Sequence, residues 1–434
     1  MQPSLAADPE EPAPATNQSG DKFIPIRRFD LLDVLVKQGD FANKEECEQF
    51  RRLAQMLRSI CHYEYSETLE RLRNDYYYFS PEMAARGPTR PAQLETAYAD
   101  LLRSLDKVLK DANFQELPHA DVIDAHRRRS VLRVEVKAHH DDFRDVRFYR
   151  RGHHIEQFEV AEWFGLRRRK VETQVFDDVV LVVAMKTQSE IGSRRELRML
   201  KRRKIVPGSV LLKYFRNIAC GDLYALFPNA RVVMSNFDKV TLGVPAIAGG
   251  IPILLKLYAT LAVLFVVIGY YLGASNSVAD KDMATALAAL TGLVALGGFI
   301  ARQWLKYQRQ SLKYHIELTE NIYYRNVNNN AGIFDSLIAT AEDQECKEAL
   351  LAYHFLRVAP SAPTGAELAQ RIEVWLKTHF GVDVDFAIGD ALATLDRFGL
   401  VRREGQRLSV SPLEGAITRL HRVWDDFFPA EQGA

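Results

Sequence analysis

Two apolar runs on either side of a short polar loop constrain this chain more than any other stretch. Leu254 to Gly273 reads LLKLYATLAVLFVVIGYYLG and Ala284 to Ala301 reads ATALAALTGLVALGGFIA. Each has about the 17–25 residues that a helix needs to cross a hydrocarbon core. A helix apolar on every face is either a membrane span or the centre of a large core. The loop Ala274 to Met283 is too short for a domain, so the sequence predicts a transmembrane helical hairpin spanning 244–304. Tyr270, Tyr271, Trp304 and Tyr307 fall where amphipathic rings prefer the headgroup level. Ala284, Ala288 and Gly292, spaced four apart, suit close helix approach in lipid. Lys239 and Lys256 precede or open the first run, and Arg302, Lys306, Arg309 and Lys313 follow the second. By the positive-inside rule both termini are expected in the cytoplasm. The expectation is a multi-pass protein of the bacterial inner membrane, with the bilayer as its first partner.

The rest of the chain reads as a cytoplasmic body. Its 434 residues suggest two or three domains. Residues 1–22, rich in Pro, Ala and acids, are expected to form a disordered tail. Residues 23–112 are helical by periodicity: Phe29, Leu32 and Val36, then Phe50, Leu53, Leu57 and Ile60, with Asn43 before Glu45–Glu46 as a helix start. Residues 113–243 change to strand patterns, including the unbroken run Val179 to Met185, and Ser209–Phe215, Gly221–Phe227 and Arg231–Met234 read as strand, helix, strand. That predicts an α+β domain with a mixed sheet. Long helices are expected over 305–358. In 359–428, Thr364 with Glu367 forms a capping box, Asp385 reads as the cap of a helix over 386–398, and LVRREGQRLSVSP reads as a hairpin turning at Glu404–Gly405. The fold class is then an α+β cytoplasmic body with a two-helix transmembrane hairpin and a C-terminal winged-helix-like module.

The net charge of +1 gives no global case for nucleic acid. Charge is unevenly placed: Ile123–Lys204 holds 21 Lys/Arg against 13 Asp/Glu, and Glu342 to the end holds 10 against 15. The stretch Arg194, Arg195, Arg198, Lys201, Arg202, Arg203 and Lys204 has seven cations and one acid. Beside a bilayer the nearest anions are lipid headgroups, so anionic lipid is the expected partner of this patch ahead of nucleic acid, with a solvated loop as the plain alternative. The helix in the recognition position of the winged module carries Asp385, Asp390 and Asp396 against Arg397, which points to a protein partner or a second copy rather than duplex DNA.

Catalytic signatures are absent: there is no HExxH, GxSxG, GxGxxG or GK[ST]. Cys47, Cys61, Cys220 and Cys346 are far apart and form no CxxC, which fits a reducing compartment without a disulfide framework. His139–His140–Asp141–Asp142 and His153–His154 are the metal-like clusters. Adjacent residues on a strand face opposite ways, so neither pair defines a ligand set, and no metal or cofactor is expected.

The stretches YFRNIACGDLYALFPNARVVMSNFDKVTLGVPAIAGGIPILLK and YYRNVNNNAGIFDSLIATAEDQECKEALLAYHFL, with WFGLRRRKV and VDFAIGDALATLDRFGLV, resemble the domain-of-unknown-function 3754 family, which includes the transmembrane protein 143 group. The likeness runs over about residues 24 to 428. It implies a membrane protein and no known activity, and it carries over no catalytic residues. The functional expectation is a non-enzymatic membrane-anchored scaffold, adaptor or regulatory subunit. An oligomeric transport or channel component and a membrane-associated enzyme are the alternatives.

Overall fold

A computed structural model describes residues 21–38, 41–84, 91–127, 135–138, 140–162, 167–202, 205–233, 251, 268 and 280–428. In chain order the helices are α1 (Arg28–Lys37), α2 (Lys44–Tyr77), α3 (Pro81–Ala84), α4 (Pro91–Asp111) and α5 (His119–Arg127), then α6 (Arg194–Arg202), α7 (Asp280–Arg325), α8 (Gly332–Arg357), α9 (Gly365–Phe380), α10 (Ile388–Arg397) and α11 (Leu413–Asp426). The strands are β1 (Gln115–Leu117), β2 (Glu135–Lys137), β3 (Phe143–Glu162), β4 (Arg167–Met185), β5 (Val210–Ala219), β6 (Arg231–Val233), β7 (Asn326–Asn329), β8 (Val401–Glu404) and β9 (Arg407–Val410). The chain divides into two compact units: residues within 1–129, 140–223 and 325–434 form the first, and those within 130–139 and 224–324 the second.

The first unit is built around α8. This helix is buried along nearly its whole length, from Ile333 and Phe334 to Leu356. Only a helix enclosed by neighbours can be so covered. It packs against α2, α4, α9, α10, α1, β5 and β7. α2 turns Phe50, Leu53, Leu57, Ile60 and Cys61 inward, and Asn43 caps its start by accepting from the Glu46 amide.

The segment Asp21–Ile26 crosses this unit as a strap that buries Asp21, Ile24 and Ile26 and leaves Lys22 and Pro25 exposed. An extended segment without strand partners leaves its backbone polar groups unmet, and a buried unmet group costs about 1–3 kcal/mol. Side chains of α8 meet them here. The Ile24 amide donates to Gln344 Oε1 at 3.0 Å, and the Ile24 carbonyl accepts from Gln344 Nε2 at 3.2 Å and Lys347 Nζ at 3.1 Å. The Lys22 carbonyl accepts from Asn113 Nδ2, and the Asp21 carbonyl from the Asp385 amide.

The sheet of this unit has the order β1-β3-β4-β5-β7, and every pairing is antiparallel. β3 and β4 pair along their whole length, while β5 covers β4 only from Val175 to Ala184, so the outer half is a two-stranded ribbon. Val180, Val182 and Ala184 face the helices with Leu212 and Tyr214. Gly152 has φ +64, and a Cβ there would run into the Asp177 carboxylate. Beside it Arg151 and Asp178 form a buried ion pair, 4 % and 6 % exposed. The Arg151 guanidinium donates to Asp178 Oδ2 at 2.5 and 3.1 Å and lies between the rings of Phe23 (4.1 Å) and Phe114 (4.7 Å). Tyr214 donates to the other oxygen at 2.7 Å. α9, α10, the β8–β9 hairpin and α11 follow, and Thr364 with Glu367 makes the capping box of α9.

In the second unit β2 pairs antiparallel with β6. The mixed sheet expected over 113–243 is therefore corrected: every pairing among the described residues is antiparallel, β5 pairs with β4 and β7, and β6 belongs to a separate two-stranded sheet. The transmembrane hairpin is also corrected. Among the described residues no helix is long and apolar enough to cross a membrane. The second run opens α7, a single helix of 46 residues that continues without a break through the polar stretch Arg302–Arg325. Apart from Ile268, the first run lies outside the described residues. The two-helix anchor, the inner-membrane location with cytoplasmic termini, the integral scaffold and the channel alternative all rested on that hairpin and fall with it. The expected disordered tail, residues 1–22, lies outside the described residues up to residue 20.

Candidate functional site: an acid-lined cleft

Four helices of the first unit each turn one polar stripe toward a common cleft of about 160 Å³. α2 supplies Glu64, Tyr65 and Thr68, α4 supplies Lys107, Lys110 and Asp111, α8 supplies Glu345 and Glu348, and α10 supplies Asp390, Ala393, Thr394 and Arg397. These are spacings of three and four, which bring side chains to one helix face. Asn113, just past the end of α4, completes the lining with φ +62, a left-handed conformation that Asn tolerates better than most residues.

The cleft is short of positive charge. Five carboxylates (Glu64, Asp111, Glu345, Glu348, Asp390) face three cations (Lys107, Lys110, Arg397). Arg397 is committed: its Nη2 lies 2.9 Å from Glu64 and 2.5 Å from Glu345. The Thr394 hydroxyl also donates to Glu345, at 2.7 Å. Burial acts to lower the Arg397 pKa, but Glu345 and Glu64 outweigh it and hold it raised. The other acids are less well matched. Burial pushes Asp111 up to about 6, helped by Glu345. Burial pushes Glu348 up to about 8; Asn113 Nδ2, donating to its Oε1 at 2.9 Å, opposes this, while Asp390 and Glu345 add to it. Glu64 is raised by burial despite Arg397, and Tyr65 is raised by burial and then by Glu345. The lining holds no serine, cysteine or histidine. It offers carboxylate acceptors to a cation and no activated nucleophile.

The residues singled out from sequence lie elsewhere. Arg194, Arg198 and Lys201 are exposed on one face of α6, while Leu200 on the other is 2 % exposed. Arg195 and Arg202 belong to the same helix, and Arg203 and Lys204 lie outside the described residues. The histidines do not converge. His139 lies outside the described residues, and His140 packs on His119 with ring centroids 4.4 Å apart. His153 lies 3.8 Å from Asp21, and His154 pairs with Asp177 at 2.6 Å. Among the described residues no group of three or more His, Cys, Asp or Glu could hold a metal ion. α10, whose acids were expected to meet a protein partner, is packed inward: Ala391, Leu392 and Leu395 are buried, and Asp390, Thr394 and Arg397 line the cleft.

The cleft escaped sequence reading because its members are scattered from residue 64 to residue 397. On each helix they look like a solvated charged face. The weak available signal was two acids one turn apart, Glu345 and Glu348, within a helix otherwise apolar enough to be central.

No solved structure matches the chain. The cleft residues lie outside the stretch that matches a known family, and that match does not show the membrane character or the transmembrane protein 143 likeness expected from the sequence. Residues 176–332 match the family model described as "Protein of unknown function (DUF3754)", which places this stretch in a domain-of-unknown-function family.

Proposed function

We propose that this chain is a non-catalytic binding protein whose cleft takes a small cationic group, an amine or a guanidinium. The carrying observation is the convergence of five carboxylates and three cations on one cavity of about 160 Å³. A bound cation favours the ionised forms of Asp111 and Glu348, which burial first and then the neighbouring acids oppose. The volume suits a side-chain-sized group and not a folded partner. Calorimetric titration of the full chain with 1,4-diaminobutane and with guanidinium, at matched ionic strength, tests this. Binding that strengthens between about pH 5.5 and 8.5, as the raised acids ionise, supports the reading. Absence of binding at millimolar ligand, or heats unchanged in the double variant Glu345→Gln, Asp390→Asn, overturns it.

A second reading concerns α6. Three cations spaced four and three apart on its exposed face, over a buried leucine, suit contact with anionic phospholipid headgroups. Each basic residue near such a surface gains about 1 kcal/mol. Co-sedimentation with vesicles rich in phosphatidylserine against neutral vesicles tests it. Equal retention on both would remove it.

A further inference from the structure

α7 carries large apolar side chains into solvent along most of its length. Leu290, Val294, Leu305, Leu312, Ile316 and Tyr323 are each 47–73 % exposed. With Ala301, also exposed, they follow one another at alternating spacings of four and seven. Four plus seven is an 11-residue repeat, about 3.67 residues per turn, close to the helix's own 3.6. The stripe therefore stays on one face of α7 and does not wind off it. Its two flanks differ. One holds Trp304 and Gln308, and the other holds Arg302, Arg309 and Lys313, all of them exposed. At 1.5 Å per residue the stripe is about 50 Å long and, at the width of a helix, covers on the order of 500–600 Å². Apolar surface of this extent marks an interaction site.

We propose that the occupant of this stripe is a second copy of the chain, with the two α7 helices paired parallel and in register about a two-fold axis. A two-fold interface needs a patch complementary to itself. In a parallel pair every stripe position meets its own counterpart, so an unbroken repeat fits its copy without mismatch. The flanks then set the direction. Parallel pairing lays the Trp304 flank of one copy beside the Arg302–Arg309 flank of the other, where a guanidinium can stack on the indole face. Antiparallel pairing would set the cationic flank of each copy against that of the other, where like charges repel. Two copies together remove about 1,000–1,200 Å² from water, which reaches the roughly 1,000 Å² that a specific interface needs. This inference rests on α7 alone and is independent of the cation-binding reading.

Sedimentation velocity of the full chain tests the pairing, and a species of twice the chain mass is expected at micromolar concentration. The double variant Leu305→Lys, Leu312→Lys should raise the dimer dissociation constant about 100-fold or more, as loss of central apolar anchors does. Both leucines are exposed in the single chain, so circular dichroism and the thermal midpoint should show the variant folded. Lys306→Gln, off the stripe, should leave the dimer intact. Direction is read from Ala301→Cys oxidised with copper–phenanthroline: parallel pairing gives a peptide joined to its own copy at position 301, released by dithiothreitol. A parent that sediments at any other mass, a dimer that persists in the folded Leu305→Lys, Leu312→Lys variant, or a dimeric Ala301→Cys chain without the self-joined peptide would overturn the proposal.

Discussion

Replacing Glu348 by glutamine removes a carboxyl whose ionisation the fold opposes, and its effect has a definite pH signature. Glu348 is 4 % exposed, and its pKa rises from 4.5 to about 8 in the folded chain. The groups facing it are Asn113 and Lys22, which lower it, and Asp390 and Glu345, which raise it. For an acid raised by folding, the native state holds the proton more tightly than the unfolded chain. Its contribution is intact below about pH 4.5, declines as pH rises, and is fully lost above about pH 8. At pH 7 the unfolded chain gains about 3 kcal/mol by ionising a group that the fold keeps protonated, at about 1.36 kcal/mol per pKa unit. Glutamine still accepts from Asn113 and carries no charge to lose. The variant should come within about 1 kcal/mol of the parent near pH 5 and exceed it by about 3–4 kcal/mol near pH 8, a rise of roughly 5–10 °C in thermal midpoint for a unit of this size. Thermal melts followed by near-ultraviolet circular dichroism at both pH values provide the assay. Parallel pH profiles for variant and parent, or a variant less stable near pH 8, would refute the reasoning.

Other substitutions test other parts of the fold. Asp178→Ala leaves the Arg151 guanidinium buried without its carboxylate and should cost about 3–5 kcal/mol in chemical denaturation. A loss below ~1 kcal/mol would mean that the two phenyl rings suffice. Gly152→Ala forces a left-handed residue and a Cβ into Asp177, and should lower the thermal midpoint by the equivalent of about 1–3 kcal/mol. Thr364→Ala removes the side-chain cap of α9 and should cost about 1 kcal/mol. Changing Arg194, Arg198 and Lys201 together to glutamine should leave stability within about 0.5 kcal/mol while lowering retention on anionic vesicles.

Local chemistry was legible where a few neighbouring residues decide the outcome. The capping box at Thr364, the cap at Asn43 and the turn at Glu404–Gly405 each depend on side chains within four positions, and each is present. The run Val179 to Met185 is a buried strand because each of its residues has a covered face to meet. The cap assigned to Asp385 failed for a tertiary reason. Val384 and Phe386 are buried, the Asp385 amide bonds to the strap at Asp21, and α10 starts only at Ile388, with Ala387 in the cap position. The strap has no periodicity to read, because its partners are side chains of a helix some 320 residues away. The second apolar run misled for a related reason. Hydropathy over 18 residues does not record that the second run continues into Arg302–Arg325 as one helix.

The central claim is that the cleft carries uncompensated negative charge that a small cation relieves. Carbon-detected NMR of the full chain, labelled at the carboxyl carbons of Asp and Glu, reads this directly when Asp111 and Glu348 are titrated with and without 1,4-diaminobutane at constant ionic strength. Without diamine, midpoints of about 6 for Asp111 and about 8 for Glu348 are expected. With saturating diamine both midpoints should move down, since a neighbouring cation favours the ionised acid. Midpoints that start in the ordinary carboxylate range, or that stay in place as the diamine is added, would contradict the account.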